Sequence, residues 1–76
     1  MTGKDIVKAL LIVRGLTKKA LGEKIDKSET DIKGYINRGK NDMRVDILVM
    51  LLDAMDCELV VRSRLEDKSE WVIGEK

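Results

Sequence analysis

Basic and hydroxyl-bearing side chains are concentrated between residues 17 and 40 of this 76-residue chain. The candidate binding residues are Thr17, Lys18, Lys27, Ser28, Glu29, Thr30, Lys33, Asn37, Arg38 and Lys40. Ammonium, guanidinium and hydroxyl groups commonly bind phosphate oxygens, and Thr, Lys, Asn and Glu side chains can hydrogen-bond the edges of bases. These residue types therefore support contact with a nucleic-acid backbone and its bases.

The charge is distributed unevenly along the chain. Residues 1 to 40 hold ten Lys and Arg against five Asp and Glu, whereas residues 41 to 76 hold five against nine, for a net charge of +1. A basic half can attract phosphate even when the whole chain is nearly neutral. The alternative is that these side chains merely form a solvated face; their clustering around one predicted helix favours phosphate contact.

The composition excludes several kinds of catalytic and metal site. With no His and a single Cys, Cys57, the chain has no Cys/His zinc site, no Ser-His or Cys-His nucleophile pair and no intramolecular disulfide. We predict that the protein is not an enzyme and uses no metal or cofactor, since so short a chain has little room to bury a catalytic carboxylate pair. Cys57 is expected to pack as a small hydrophobe, with a reactive thiol as the alternative.

Size and hydropathy predict one compact folded domain. A hydrophobic fraction of 43% is too high for a disordered chain, and 76 residues are too few for two cores. No apolar run approaches the roughly 18 residues of a membrane helix, and the N-terminus does not resemble an export signal. We expect a cytoplasmic protein without membrane contact.

Helix start and stop signals place a first helix before the candidate residues. Thr2 is a typical N-cap for a helix that runs to about Arg14 and closes at Gly15. The three-and-four spacing predicts a core stripe of Ile6, Ala9, Leu10 and Val13. Val7, Leu11 and Ile12 lie off this stripe, so the helix is expected to need a second apolar neighbour.

Two short helices then carry the candidate residues. Thr17 is the N-cap of the second, and Ser28 caps a third that begins at Glu29, has Asp31 as capping-box partner and ends at Gly39. The predicted inward residues are Ala20, Leu21, Ile25, Ile32, Tyr35 and Ile36.

A fourth helix and a hairpin complete the chain. The helix is predicted from about Met43 to Met55 with Asp42 as its cap. Its inner residues are Val45, Leu48, Leu51, Leu52 and Met55, while Ile47 and Met50 point away. The hydrophobic period then changes from 3.6 to 2, which predicts a β-hairpin from about 58 to 73 with a polar turn at 66–69.

The second and third predicted helices form a helix-turn-helix pattern. Residues 16–32, LTKKALGEKIDKSETDI, resemble the helix-turn-helix of Cro/C1-type (XRE family) phage repressors, with Gly22 at the tight corner. The resemblance extends over residues 5 to 56. It implies a mainly α fold: a four-helix lambda-repressor-like helix-turn-helix region at 1–56, followed by a C-terminal β-hairpin at 57–76 within one compact domain.

The chain departs from the family at two places. Members often pair an Arg on helix 1 with a Glu late in the recognition helix, and Leu11 and Ile36 stand at those positions. An apolar pair can replace a buried ion pair at little cost, so we predict that Leu11 packs against Ile36. The hairpin stands where many members have a fifth helix.

The resemblance implies a sequence-specific regulator of transcription that binds double-stranded DNA as a homodimer, an autoregulatory repressor. Lys18, Lys27, Arg38 and Lys40 are expected at phosphates. Thr30 and Lys33 would face the major groove, where Glu29 can accept from cytosine N4. For Asp31, helix capping is favoured over DNA contact.

Apolar residues outside the predicted core indicate the dimer interface. We assign it to Ile47, Met50, Leu59, Val61, Trp71 and Ile73, because a lone two-stranded hairpin is marginal in water. Trp71 as a platform for stacking single-stranded bases is a less favoured alternative. The competing function is a protein-interaction module, such as an antitoxin or small inhibitor, whose C-terminal half binds a partner protein.

Overall fold

The computed structural model describes residues 1–74 and contains four helices followed by a two-stranded antiparallel hairpin. The elements are α1 (Gly3–Arg14), α2 (Lys18–Lys24), α3 (Glu29–Asn37), α4 (Val45–Ala54), β1 (Leu59–Arg62) and β2 (Glu70–Ile73). The predicted mainly α fold with a C-terminal hairpin is confirmed. Glu75 and Lys76, which end the predicted hairpin region, lie outside the described residues. Within residues 1–74, no helix combines the length and apolar character needed to cross a bilayer.

Side-chain caps fix the starts of the first three helices, as predicted. The Thr2 hydroxyl accepts the backbone N–H of Asp5 at 3.1 Å, and the Asp5 carboxylate accepts the Thr2 N–H at 3.3 Å. Ser28 and Asp31 form the same reciprocal pair at α3, and Thr17 caps α2 through its hydroxyl. These groups satisfy N–H donors that the first turn of a helix leaves without partners, so local sequence sets the three starts.

One apolar core joins the helices. Its buried members are Val7, Leu11, Leu21, Ile32, Ile36, Leu48, Leu51, Leu52 and Met55. Leu11 and Ile36 belong to this same cluster, on helices that pack against each other. The hydroxyl-capped short helices therefore rest on a shared base formed by α1 and α4.

The predicted core stripe of α1 was wrong. Val7 and Leu11 face the core, whereas Val13 is 74% exposed and Ile6 and Leu10 are only half-buried. The helix is apolar around most of its circumference, so hydrophobic spacing alone does not determine which side turns inward. Packing against α3 and α4 decides it. Val7 and Leu11 are thus core residues and not part of a surplus apolar surface.

The predicted start of α4 was also wrong. The helix begins at Val45, and Arg44 at its N-cap position makes no side-chain capping hydrogen bond. Asp42 instead accepts the backbone N–H groups of Gly3 at 2.6 Å and Lys4 at 3.0 Å, at the start of α1. Val45, predicted to face inward, is 56% exposed. A carboxylate thus caps a helix 38 residues away in sequence, which local capping rules do not reveal.

The hairpin carries apolar side chains on both faces. Antiparallel pairing sets Leu59 opposite Ile73 and Val61 opposite Trp71. Side chains alternate between the faces of a strand, so these four share one face. Val60 and Val72 pair on the other face beside an Arg62–Glu70 ion pair of 2.8 Å. Among the described strand residues, Leu59 is the one that packs on the helical core.

Candidate nucleic-acid interface

Helices α2 and α3 pack together across a four-residue connection, residues 25–28, and form a helix-turn-helix. The Gly22 carbonyl accepts the backbone N–H of Ile25 at 3.1 Å and of Lys27 at 2.8 Å. A Cβ added at Gly22 would collide with the carbonyl oxygen of Lys27 and lie 3.3 Å from Ile32 Cγ1. Only a residue without a side chain fits this corner with the backbone as it stands, which explains the position of the glycine.

The solvent-facing side of α3 presents polar side chains at helical spacing. Thr30, Lys33 and Asn37 are all exposed and follow one another at intervals of three and four residues. Such residues lie on one side of a helix, so the three predicted contacts form a single stripe. Ile32 and Ile36, on another side of the helix, are buried in the core. The core contacts thereby determine which side of α3 meets solvent.

The two acidic residues at the start of α3 have different partners. Asp31 is engaged in the capping box with Ser28, as favoured above. Glu29 forms an ion pair with Lys33 at 3.9 Å between Oε2 and Nζ, and both side chains are about half exposed. This pair offsets the negative charge of Glu29 beside the stripe. Exposed pairs of this kind contribute only about 0.3–0.5 kcal/mol, so either member can exchange partners readily.

The other predicted contacts border this stripe along the chain. Thr17, Lys27 and Ser28 are exposed, and Lys18 is half-buried at the first position of α2. The Thr17 and Ser28 hydroxyls are already engaged as helix caps. These two hydroxyl caps orient the first turns of α2 and α3. Thr17 and Ser28 add no positive charge to the surface.

Arg38 folds back onto α3 at a glycine. A Cβ built on Gly34 would lie 3.5 Å from the Nε and Cζ atoms of Arg38, an ordinary contact distance. The small residue leaves open surface over which the guanidinium lies. Arg38 and Lys40 are both exposed, at the end of α3 and in the segment that follows it. The structure thus places the predicted Arg38 beside the last turn of α3.

Lys4 and Asp42, which connect the chain after α3 to the start of α1, were not predicted from the sequence as functional residues. The Lys4 ammonium donates to the carbonyl oxygens of Arg38 at 2.8 Å and Gly39 at 3.4 Å. Asp42 binds the start of α1, and its hydrogen bonds from Gly3 and Lys4 hold the pKa of its carboxyl below the ordinary value. Both contacts span more than 30 residues of sequence, so no local pattern could have indicated them.

The predicted interface residues lie on the hairpin and on the outward side of α4. Ile47, Met50 and Leu59 are half-buried; Val61, Trp71 and Ile73 are 47%, 59% and 38% exposed. Apolar groups are thus open to solvent on a hairpin whose helical contact is at its root. A second apolar element is needed if they are to be buried.

A cleft of about 360 Å³ separates the hairpin root from α4. Its walls include the apolar residues Ile25, Val49, Met50, Val72 and Ile73, and the carboxylate residues Asp46, Asp53 and Glu58. Cys57 also lines it, half-buried, with its sulfur 3.5 Å from an Arg14 guanidinium nitrogen; this hydrogen bond raises the pKa of Arg14. No Lys or Arg among the described residues lines the cleft, so the site combines apolar walls with negative charge.

The described part of the chain holds no group of three or more His, Cys, Asp and Glu placed to bind a metal ion. The predicted absence of a metal and of catalytic activity stays a prediction. Comparison of the chain with protein-family models, curated proteins and solved structures finds no match.

Proposed function

We propose that this protein is a cytoplasmic, sequence-specific repressor of the Cro/C1 (XRE) kind that binds double-stranded DNA as a homodimer and acts on its own gene. The observation that carries the proposal is the exposed polar stripe of Thr30, Lys33 and Asn37 on the second helix of a helix-turn-helix. In such a unit the second helix enters the major groove. The net positive charge of residues 1–40 supports the same assignment.

Base recognition is assigned to the stripe on α3. Thr30 and Lys33 reach base edges near the front of the helix, and Asn37 extends the contact at its end. Glu29 releases Lys33 on binding and accepts from cytosine N4, since their ion pair is long and solvent-exposed. Asp31 stays in its cap and makes no DNA contact.

Phosphate contact is assigned to basic side chains on both sides of the stripe. Lys18 and Lys27 lie before α3, and Arg38 and Lys40 follow it. Four such side chains per subunit give about eight per dimer, so log affinity is expected to fall with log salt at a slope near −7.

The homodimer interface is assigned to one of the two faces of the hairpin. Leu59, Val61, Trp71 and Ile73 share that face, and Ile47 and Met50 on α4 extend the surface. A twofold axis through this surface is expected to set two copies of α3 roughly 34 Å apart, the distance between successive major grooves on one side of the duplex.

The test is binding to the DNA around the protein's own gene over a range of salt concentrations. Lys18→Ala should weaken binding to all duplexes and reduce the magnitude of the slope by about 1.8, since it removes one phosphate-binding ammonium group from each subunit of the dimer. Lys68→Ala removes the same charge from the hairpin turn and should leave the slope unchanged. A duplex selection at low salt that recovers no bound sequence would contradict the proposal.

Light scattering tests the assigned interface. The full chain should be a dimer, and a chain ending at Asp56 should be a monomer with much weaker operator binding, because the two half-sites no longer act together. A truncated chain that remains a dimer would move the interface off the hairpin.

The cleft beside α4 favours a second candidate, a protein-interaction module. Its carboxylate-bearing apolar walls match a partner segment that carries both basic and apolar side chains. Asp53→Lys reverses charge in the cleft and should abolish capture of such a partner without changing DNA affinity appreciably. A chain that binds this partner and no duplex would make the second candidate the function.

A further inference from the structure

The segment between α3 and α4, residues 38–44, carries two of the proposed phosphate-binding residues but has little backbone support. Within the described residues, the backbone groups of 39–43 make no backbone-to-backbone hydrogen bond. Gly39 has a φ of 80°, in the left-handed region. Arg38 is held by α3 through its N–H, which donates to the Gly34 carbonyl at 3.1 Å, whereas Lys40 lies in a stretch that neither helix holds through its hydrogen-bond ladder.

Two side chains hold this segment to the start of α1 by a reciprocal set of hydrogen bonds. Lys4 Nζ donates to the carbonyl oxygens of Arg38 at 2.8 Å and Gly39 at 3.4 Å. In return, Asp42 accepts the N–H groups of Gly3 at 2.6 Å and Lys4 at 3.0 Å. We call this set, made by Lys4 and Asp42, the clamp.

The clamp is closely packed at Gly3. A Cβ at this buried glycine would lie 3.2 Å from an oxygen of Asp42 and 3.2 Å from Leu48 Cδ2. Asp42 also accepts the N–H of Met43 at 2.9 Å, so one carboxylate binds three backbone donors, two at the start of α1 and one in the segment. Hydrogen bonds to an ionised group are stronger than those between neutral groups, so the clamp can hold the segment in place.

We propose that Lys4 and Asp42 are positioning residues for DNA binding: the clamp holds Arg38 and Lys40 where both reach phosphates. The inference rests on the proposed function, because it assigns these two side chains to DNA. Asp42 contributes negative charge, so its direct electrostatic effect on DNA binding is unfavourable. Its positioning effect has the opposite sign, and the two can therefore be separated by experiment.

Asp5 provides a matched control for Asp42. The carboxylates of both Asp residues accept backbone N–H groups at the start of α1. Asp5 lies within α1, accepts from Thr2 and makes no hydrogen bond to residues 38–44 in the described chain, whereas Asp42 belongs to that segment. Asp5→Ala and Asp42→Ala remove the same charge from the same end of one helix. A role confined to helix capping would give the two variants the same DNA affinity.

The experiment measures operator affinity and its salt dependence for both variants in the full-length protein. Asp42→Ala should weaken binding by about tenfold or more, and the slope should become shallower by about 1.8 for each basic side chain per subunit that no longer reaches a phosphate. Asp5→Ala should bind at least as tightly as the wild type. Asp42→Asn, which keeps the shape of the side chain, replaces Asp42→Ala if that variant does not fold, and should weaken binding in the same direction.

A double variant tests whether Asp42 affects DNA affinity through the basic side chains of residues 38–44. In Arg38→Ala/Lys40→Ala, removal of Asp42 should cause no further decrease in affinity, since the groups that the clamp positions are gone. The same fold-decrease in that background, or equal behaviour of Asp5→Ala and Asp42→Ala, would overturn the inference.

Trypsin cleavage after Arg38 and Lys40 gives a readout that needs no DNA. Cleavage should be faster in Asp42→Ala than in Asp5→Ala if the clamp holds the segment. Faster cleavage with unchanged affinity would overturn the positioning role and leave the proposed function intact. A wild-type protein that binds no duplex would overturn both.

Discussion

The helical body and the C-terminal hairpin differ in how they bury their apolar side chains. Leu21 and Leu51 in the body are fully buried, whereas Val61 and Trp71 on the hairpin are 47% and 59% exposed. Burial of apolar area is the main force that stabilises a fold, and a two-stranded hairpin alone is marginal in water. The body therefore supplies its own stability, while the stability of the hairpin depends on what covers its exposed face.

Truncation of one leucine in each region gives the largest expected contrast. Leu51→Ala should lower the free energy of unfolding by about 2–5 kcal/mol, because it leaves a cavity in the core. Leu65→Ala, at a position that is 73% exposed beside the hairpin turn, should change it by less than about 0.5 kcal/mol. Urea denaturation of both variants measures the difference. Equal decreases would mean that the hairpin end is buried in solution.

A charge introduced on α1 tests which side of that helix faces the core. Leu11→Arg should destabilise the protein by about 2–4 kcal/mol, because it places an unpaired charge in the core cluster to which Leu11 and Ile36 belong. Ile12→Arg is the control at the next residue, which is 83% exposed, and should stay within about 0.5 kcal/mol of the wild type. Thermal melts of the two variants compare them. A tolerated Leu11→Arg would show that α1 is rotated relative to this structure.

Sequence predicted the parts of the fold that local chemistry determines. The caps at Thr2, Thr17 and Ser28 depend on side chains three residues or fewer from the groups they satisfy, and all three were predicted correctly. The inward side of α1 was not, because apolar residues cover more than one face of this helix and their spacing does not select which face packs on α3 and α4. Asp42 was assigned to the nearer helix, since its true partners at Gly3 and Lys4 are distant in sequence.

The candidate nucleic-acid interface likewise has features that local sequence determines and features that tertiary contacts determine. The stripe of Thr30, Lys33 and Asn37 could be predicted because a single helix sets its geometry. The position of Arg38 over Gly34 depends on how the chain leaves α3. That exit is held by Lys4 on α1, a tertiary contact that hydrophobic periodicity does not encode.

Alanine substitutions at two glycines of the helical body should change the free energy of unfolding by smaller amounts. Gly22→Ala should destabilise by about 1–3 kcal/mol, because the added methyl collides with backbone at the corner between α2 and α3. Gly34→Ala adds the same methyl within α3 at ordinary contact distance from Arg38, and should stabilise by about 0.5–1 kcal/mol. Opposite signs in urea denaturation would support the tight corner, whereas two stabilising changes would contradict it.

The smallest expected effect is a difference in pH dependence between Asp42 and Asp67. Hydrogen bonds from the N–H groups of Gly3 and Lys4 lower the pKa of Asp42, and the hydroxyls of Ser69 and Ser63 lower that of Asp67 in the hairpin turn.

A lowered carboxyl pKa contributes stability above the unfolded value of about 3.9, and this contribution disappears as the pH falls through the folded value. The gap in unfolding free energy between the wild type and Asp42→Asn should therefore narrow from pH 6 to pH 3. Asp67→Asn should leave the pH dependence of body unfolding unchanged, because its partners lie in the hairpin turn and not in the core. Urea denaturation at the two pH values measures both gaps. If the gap in unfolding free energy between the wild type and Asp67→Asn narrows by the same amount, the hairpin unfolds together with the helices. The two regions would then not differ in stability.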